Sequence, residues 1–144
     1  MIYIGIDPGK SGCIAFIDSD SERDPWFVNC DETPKDISDA FCEATLQDSC
    51  RALMERVSSS PQMGVKSAFT FGQSFGMLEG MVSAYEVPHE QITPQKWMRQ
   101  LQCLTKGDKN VTKRKAQELY PSVKITHRNA DALLLAHLCM QQNK

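Results

Sequence analysis

The sequence predicts a mixed α/β fold, with helices packed on a sheet that begins as a hairpin. At the N-terminus two β-rich segments are joined by a Pro-Gly turn. Downstream, β-like apolar runs alternate with segments of helical periodicity. The length of 144 residues fits a single domain with a real core, and is too short for two nucleotide-clamping lobes.

Residues 2 to 6 (IYIGI) and 12 to 19 (GCIAFIDS) read as antiparallel strands, because Pro8 and Gly9 force a tight turn between them. A third strand at 25 to 30 (PWFVNC) follows the acidic turn at 18 to 24. Residues 33 to 47 open with Pro34 and repeat Ile37, Ala40, Phe41 and Leu46 near helical spacing, which predicts a helix. CRALMERV, 50 to 57, is short and apolar and reads as a strand, with Glu55 near its end. The Ser/Gly/Pro-rich stretch 58 to 72 predicts a loop, and 73 to 86 a helix with Phe75, Leu78, Val82 and Tyr85 on one face. A fifth strand falls at 87 to 93, and Pro94 opens a helix carrying Trp97 and Leu101. Two helices, 111 to 120 and 129 to 142, complete the chain, which shows no repeat, linker or low-complexity tract.

The opening IYIGIDPGKSG superficially matches a phosphate-binding loop. A Walker loop needs four residues between its first Gly and Gly-Lys-Ser/Thr, whereas three separate Gly5 from Gly9. One of those three is Asp7, whose carboxylate would repel the phosphate such a loop attracts. What remains is a strand that delivers a carboxylate at its end.

An apolar content of 41% and a charged content of 24% are those of an ordinary soluble domain, without a membrane partner. With no export signal, the six cysteines, none in a Cys-x-x-Cys pair, read as reduced thiols of a cytoplasmic protein. The net charge of −2 conceals an asymmetry. Residues 1 to 55 carry 4 Lys/Arg against 12 Asp/Glu, and residues 56 to 144 carry 12 against 6. The densest basic run, KGDKNVTKRK at 106 to 115, holds Lys106, Lys109, Lys113, Arg114 and Lys115. It suits either a solvated helix face or the docking of a polyanion.

Three acids stand in apolar surroundings. Asp7 ends an apolar strand, Glu55 sits in ALMERV, and Asp131 has Leu134, Leu135 and Leu138 at i+3, i+4 and i+7. Taken singly, each has an ordinary reading: a turn residue, an exposed strand-end acid, and a first-turn acid beside an Asn129 cap. Brought into one pocket, they would repel one another unless divalent cations neutralised them. Oxygen-rich sites favour Mg²⁺ or Mn²⁺, and two such ions support phosphodiester hydrolysis.

YIGIDPGKSG, MERVSSSPQMGVKSAFTFGQSFG, ITPQKW and RKAQELYPS…HRNADALLLA, in that order, resemble the RuvC-type Holliday junction resolvases, particularly their short bacteriophage-like members. Only residues 20 to 50 are generic. The resemblance implies an RNase H-like fold with a mixed five-stranded sheet flanked by helices. It also implies a homodimer, and paired nicking of four-way or branched DNA with two Mg²⁺ per site, Mn²⁺ substituting. A phage-encoded protein of this kind would act in the cytoplasm of its bacterial host. By the same resemblance, Asp7, Glu55 and Asp131 are catalytic metal ligands. The family places an acid or His shortly before the last Asp; here Arg128 cannot bind a cation, so His127 is the candidate fourth ligand or proton acceptor. Phe69 or Phe71 would stack on an unpaired base, one of the two being core and Phe69 the exposed one. Lys66 and the 106 to 115 run would hold phosphates. Gly76 and Gly80 permit close helix approach, within the chain or between two subunits. The remaining Trp and Met residues read as core or dimer contacts.

Three other readings stand beside this one. An actin-like or sugar-kinase-like ATPase half lacks its second phosphate loop here. A branched-DNA-binding module with an incomplete active site is suggested by Arg128. An RNase H or single-strand nuclease would differ in substrate.

Overall fold

The computed structural model describes all 144 residues. Its elements are β1 (Ile2–Asp7), β2 (Cys13–Asp18), β3 (Trp26–Asn29), α1 (Pro34–Gln47), β4 (Cys50–Glu55), α2 (Val65–Ala84), β5 (His89–Ile92), α3 (Pro94–Gln100), α4 (Asn110–Leu119) and α5 (Ala130–Asn143). The strands form one mixed sheet of order β3-β2-β1-β4-β5. β2 pairs antiparallel with both β1 and β3, while β4 pairs parallel with both β1 and β5. The α/β class, the hairpin and each expected strand are therefore present.

Two expectations need correction. The stretch 58 to 72 is a loop only in part, because α2 already begins at Val65 and runs unbroken for 20 residues. Serine and glycine suggested irregular chain, yet no proline interrupts residues 62 to 87, and the Ala68 amide already donates to the Gly64 carbonyl at 2.9 Å. Helical glycine weakens such a segment by about 1 kcal/mol without stopping it. In α1, Leu46 lies outside the buried stripe and is 83% exposed; Ala44 is buried instead, beside Ile37 and Phe41.

Strand side chains alternate between two cores. Ile2, Ile4, Ile6, Ala52 and Met54 face α1 and α2, while Tyr3, Leu53, Cys13 and Ala15 face α3, α4 and α5. α5 is buried on nearly every side, from Ala130 and Ala132 through Leu133, Leu134, Leu135 and Ala136 to Cys139. It crosses β1, β2 and β4, with α4 along its outer side. Contact with β1 is at backbone distance: a Cβ on Gly5 would fall 2.0 Å from the Ala132 carbonyl oxygen and 2.3 Å from the Ala136 nitrogen. Neither backbone group can yield without moving the helix. Gly5→Ala is therefore expected to destabilise the protein by about 3 kcal/mol or more. Urea denaturation measures this, and a loss below about 1 kcal/mol would contradict the close approach.

Candidate active site

Register brings the first two acids together. Ile6 lies opposite Met54 in the parallel β1–β4 pair, so Asp7 and Glu55 are the next residues on strands about 4.8 Å apart. Period-two alternation turns both side chains to the α5 face, the face of Tyr3 and Leu53. The Gly5 contact sets the N-terminal turn of α5 over the same strand ends, and Asp131 is in that turn.

The charges of the three acids couple. Burial, then Glu55 and Asp131, push the Asp7 carboxyl up to about 8, against a weaker opposing pull from Lys109. Burial and Asp131 push Glu55 up to about 6, opposed by a hydrogen bond from Trp97. Asp131 is raised by burial and held back by the neighbouring Thr112 hydroxyl, Lys109 and His127. Glu55 is only 7% exposed and is no surface strand-end acid. Its Oε2 accepts from Trp97 Nε1–H at 2.7 Å. Asn129 precedes α5, but its side chain makes no capping bond to the helix, and Oδ1 instead accepts from the Thr126 amide.

Asp7 and Asp131 line an open cleft of about 420 Å³ together with His127, Lys109, Thr112 and Phe71. Gly9 turns the chain along the rim with φ 111°, and the Phe71 ring lies against it. Arg128 points elsewhere: its Nη2 donates to the Lys10 carbonyl at 3.0 Å and pairs with Asp31 Oδ1 at 2.7 Å.

Residues expected to touch DNA divide into groups. Phe69 is 72% exposed, and Phe71 is half-buried against Phe75 and Gly9, so neither ring is core as one was expected to be. Both, with exposed Lys66, sit on the first turns of α2 rather than on a loop. Lys109 enters the acid cleft, whereas Lys113 and Arg114 line a shallow surface with Asn110 and Gln117. Lys115 faces His137 and Leu119 on a different side of α4, so the basic run is not one continuous surface. Lys106 is exposed in the preceding loop. Trp97 and Thr112 were not picked out as site residues. Trp97, expected as a core or dimer contact, is core, but with its one polar atom on Glu55.

The tightest acidic group is a different one. Asp18, Asp20 and Asp48 bring carboxylate oxygens within 4.8 Å of one another at the opposite end of β1. The N-terminal ammonium bonds Asp20 and Asp48, holding both below the ordinary carboxylate value. Exposed Asp20 and Asp48 already share the positive charge of that ammonium. Asp7, Glu55 and Asp131 are not so tightly grouped, which is compatible with ligands spread around two ions roughly 3.5 to 4 Å apart.

Sheet and helices together form an α/β protein with the RNase H-like fold. Among solved structures, the chain is similar to Thermus thermophilus RuvC at TM-score 0.64 and 15% identity, covering 99% of this chain and 96% of that one. It is also similar to T. thermophilus RuvC in complex with a Holliday junction substrate, at TM-score 0.60 and 16% identity, covering 99% and 95%. At such identities the likeness is one of fold. No protein-family model matches the chain, and no curated protein matches it in sequence.

The raised carboxyls make stability depend on pH. Asp7 holds its proton to about 8 when folded, against 3.8 for an ordinary Asp, so the unfolded chain releases a proton that the folded chain retains. The contribution of these two carboxyls to stability without metal is full below about pH 4 and is lost as pH rises, that of Glu55 through about 6 and that of Asp7 through about 8. Asp7→Asn in EDTA is expected to gain about 1–2 kcal/mol at pH 8.5, or several degrees in Tm, and little near pH 4. An equal change in Tm at both pH values would remove the burial penalty assigned to Asp7.

Proposed function

We propose that the chain is a metal-dependent endonuclease that resolves four-way and other branched DNA by paired symmetric nicks. The whole chain would form one RNase H-like nuclease domain and act as a homodimer. The observation that carries this reading is the meeting of Asp7, Glu55 and Asp131 on neighbouring elements, with all three carboxyls raised by burial and those of Asp7 and Glu55 also by neighbouring acids. The fold adds support, since a RuvC of this architecture is known in complex with a Holliday junction.

Asp7 and Asp131 at the cleft, with Glu55 buried on the neighbouring strand end, call for positive charge. Lys109 and His127 supply part of it. Asp7, Glu55, Asp131 and His127 are the groups to hold two divalent cations, and a donor set of oxygens with one imidazole suits Mg²⁺ or Mn²⁺. When bound, such a pair supplies Lewis-acid activation of water and stabilisation of the leaving oxygen. His127, lining the cleft beside Asp131, is placed to serve as a ligand or to accept the proton of the attacking water. Lys109 would offset the phosphate charge at the cleft. Lys66, Lys106, Lys113 and Arg114 would hold flanking phosphates, and Phe69 or Phe71 would stack on an unpaired base. Lys115, facing His137, is left out of that path. A second copy would pack on α2, where Gly72, Gly76 and Gly80 border open space rather than another part of the chain.

Arg128 had favoured a binding module with an incomplete site. Its guanidinium is committed to Asp31 and the Lys10 carbonyl, so it does not replace a cation between the acids. That observation favours the nuclease over the module.

Wild-type protein with Mg²⁺ or Mn²⁺ is expected to nick an immobile four-way junction symmetrically and to leave an RNA–DNA hybrid uncut. Asp7→Asn should lower the nicking rate roughly 10²–10⁴-fold while junction binding persists. Absence of metal-dependent nicking in the wild type, or full activity in Asp7→Asn, would end this reading; cutting of hybrids alone would move it to an RNase H. His127→Ala should also slow nicking, and an unchanged rate and metal dependence would remove that residue from the site. Junction affinity should fall steeply with salt, by about 0.9 log units per tenfold increase for each phosphate contacted. A flat salt response would contradict the proposed basic path.

A further inference from the structure

We propose that Trp97 positions Glu55 as a one-oxygen metal ligand and thereby tunes which divalent ion the site prefers. The inference rests on the nuclease reading above. Trp97 is fully buried in the α5-side core, and its only polar atom, Nε1–H, donates to Glu55 Oε2 at 2.7 Å. No other hydrogen bond reaches that carboxylate, and none reaches the Asp7 side chain. The indole has no second donor and no acceptor, so it fixes one oxygen and leaves the other.

Sheet register builds this contact. Ile92 of β5 lies opposite Glu55, and the Arg56 amide donates to the Ile92 carbonyl at 2.7 Å. Thr93 and Pro94 then start α3, the Trp97 amide donates to the Thr93 carbonyl at 3.2 Å, and one helical turn carries the indole back over the end of β4. Packing around the ring holds it there, as Trp97 belongs to the same core cluster as Leu101 and Leu53.

The chemical consequence concerns denticity. With one lone pair of Oε2 engaged, Oε1 is the free oxygen that Glu55 offers a cation, and binding through both oxygens would have to share Oε2 with the indole. Mg²⁺ and Mn²⁺ in octahedral sites take single carboxylate oxygens, whereas Ca²⁺ accepts higher coordination and often binds a carboxylate through both. The indole therefore disfavours Ca²⁺ at this position and orients the oxygen that remains. A phenylalanine would keep the packing and free Oε2.

Direct metal binding tests this. Mn²⁺ titrations followed by electron paramagnetic resonance, with Ca²⁺ as competitor, would compare wild type, Trp97→Phe and Asp7→Asn, with circular dichroism as the check on folding. Trp97→Phe is expected to weaken Mn²⁺ binding roughly 10- to 100-fold and to narrow the preference for Mn²⁺ over Ca²⁺. A folded Trp97→Phe protein with both affinities within about twofold of wild type would overturn the inference and leave the nuclease reading standing. Undiminished Mn²⁺ binding by Asp7→Asn would instead overturn the nuclease reading itself. Should Trp97→Phe fail to fold, Trp26→Phe leaves Trp97 as the sole indole of the two. Its emission should then shift on adding Mg²⁺, and unchanged emission at saturating Mg²⁺ would overturn the inference.

Discussion

Helix α5 rests on β1 at a point where no side chain separates them, and the geometry of the acidic cleft follows from that contact. Gly5 allows the Ala132 carbonyl to approach the strand backbone, which sets the height of α5 above the sheet. The first turn of the helix then overhangs the C-terminal ends of β1 and β4. Asp131 comes from the helix, Asp7 and Glu55 from the strand ends. A larger residue at position 5 would raise the helix and separate the acid on it from the two on the sheet. Packing and site are thus one constraint, imposed by a residue that carries no chemistry.

Bringing charges into such a place opposes folding. Burial raises all three carboxyls, and the nearby positive groups, Lys109 and His127, offset only part of this. The two apolar cores on either side of the sheet supply the compensating stabilisation, with α5 buried along almost its whole length. The acids at the far end of β1 make the contrast. Asp18, Asp20 and Asp48 lie closer together, yet they face solvent and the N-terminal ammonium, and Asp20 and Asp48 are lowered rather than raised. Distance between carboxylates is a poor guide to a reactive site; desolvation without a resident cation is a better one.

Much of the architecture was legible because each element announces itself locally. Continuous short apolar runs mark β1 and β2, Pro34 and Pro94 mark helix starts, and the leucine-rich run marks α5. The three acids were legible for a related reason, each being a charge set in an apolar neighbourhood. What escaped depends on contacts between distant segments. The Trp97 bond to Glu55 requires the register of β5 on β4, and the place of Lys109 in the cleft requires α4 to lie along α5. Nothing in the order of residues near Arg128 announces Asp31, nearly a hundred positions earlier, as its partner. The start of α2 was missed because composition argued for a loop where backbone hydrogen bonding prevails.

That helix also shows how rigidity is distributed. Only Leu78 and Val82 of its 20 residues are fully buried. Its C-terminal half is fastened to α1, where Tyr85 stacks on Phe41 and meets the Ser38 hydroxyl at 2.5 Å. The N-terminal half leaves the core, with Val65 89% exposed, and reaches the cleft through Ser67 and Phe71. Segments with few buried contacts open more readily than core strands. The acids therefore sit on elements packed into the core, and one wall that borders their cleft on a sparsely buried half-helix. Phe71, resting on Gly9, links that wall to the turn immediately after Asp7. The Phe71 ring thus lies between α2 and the turn that follows Asp7, while the sheet and α5 keep the acids themselves in place.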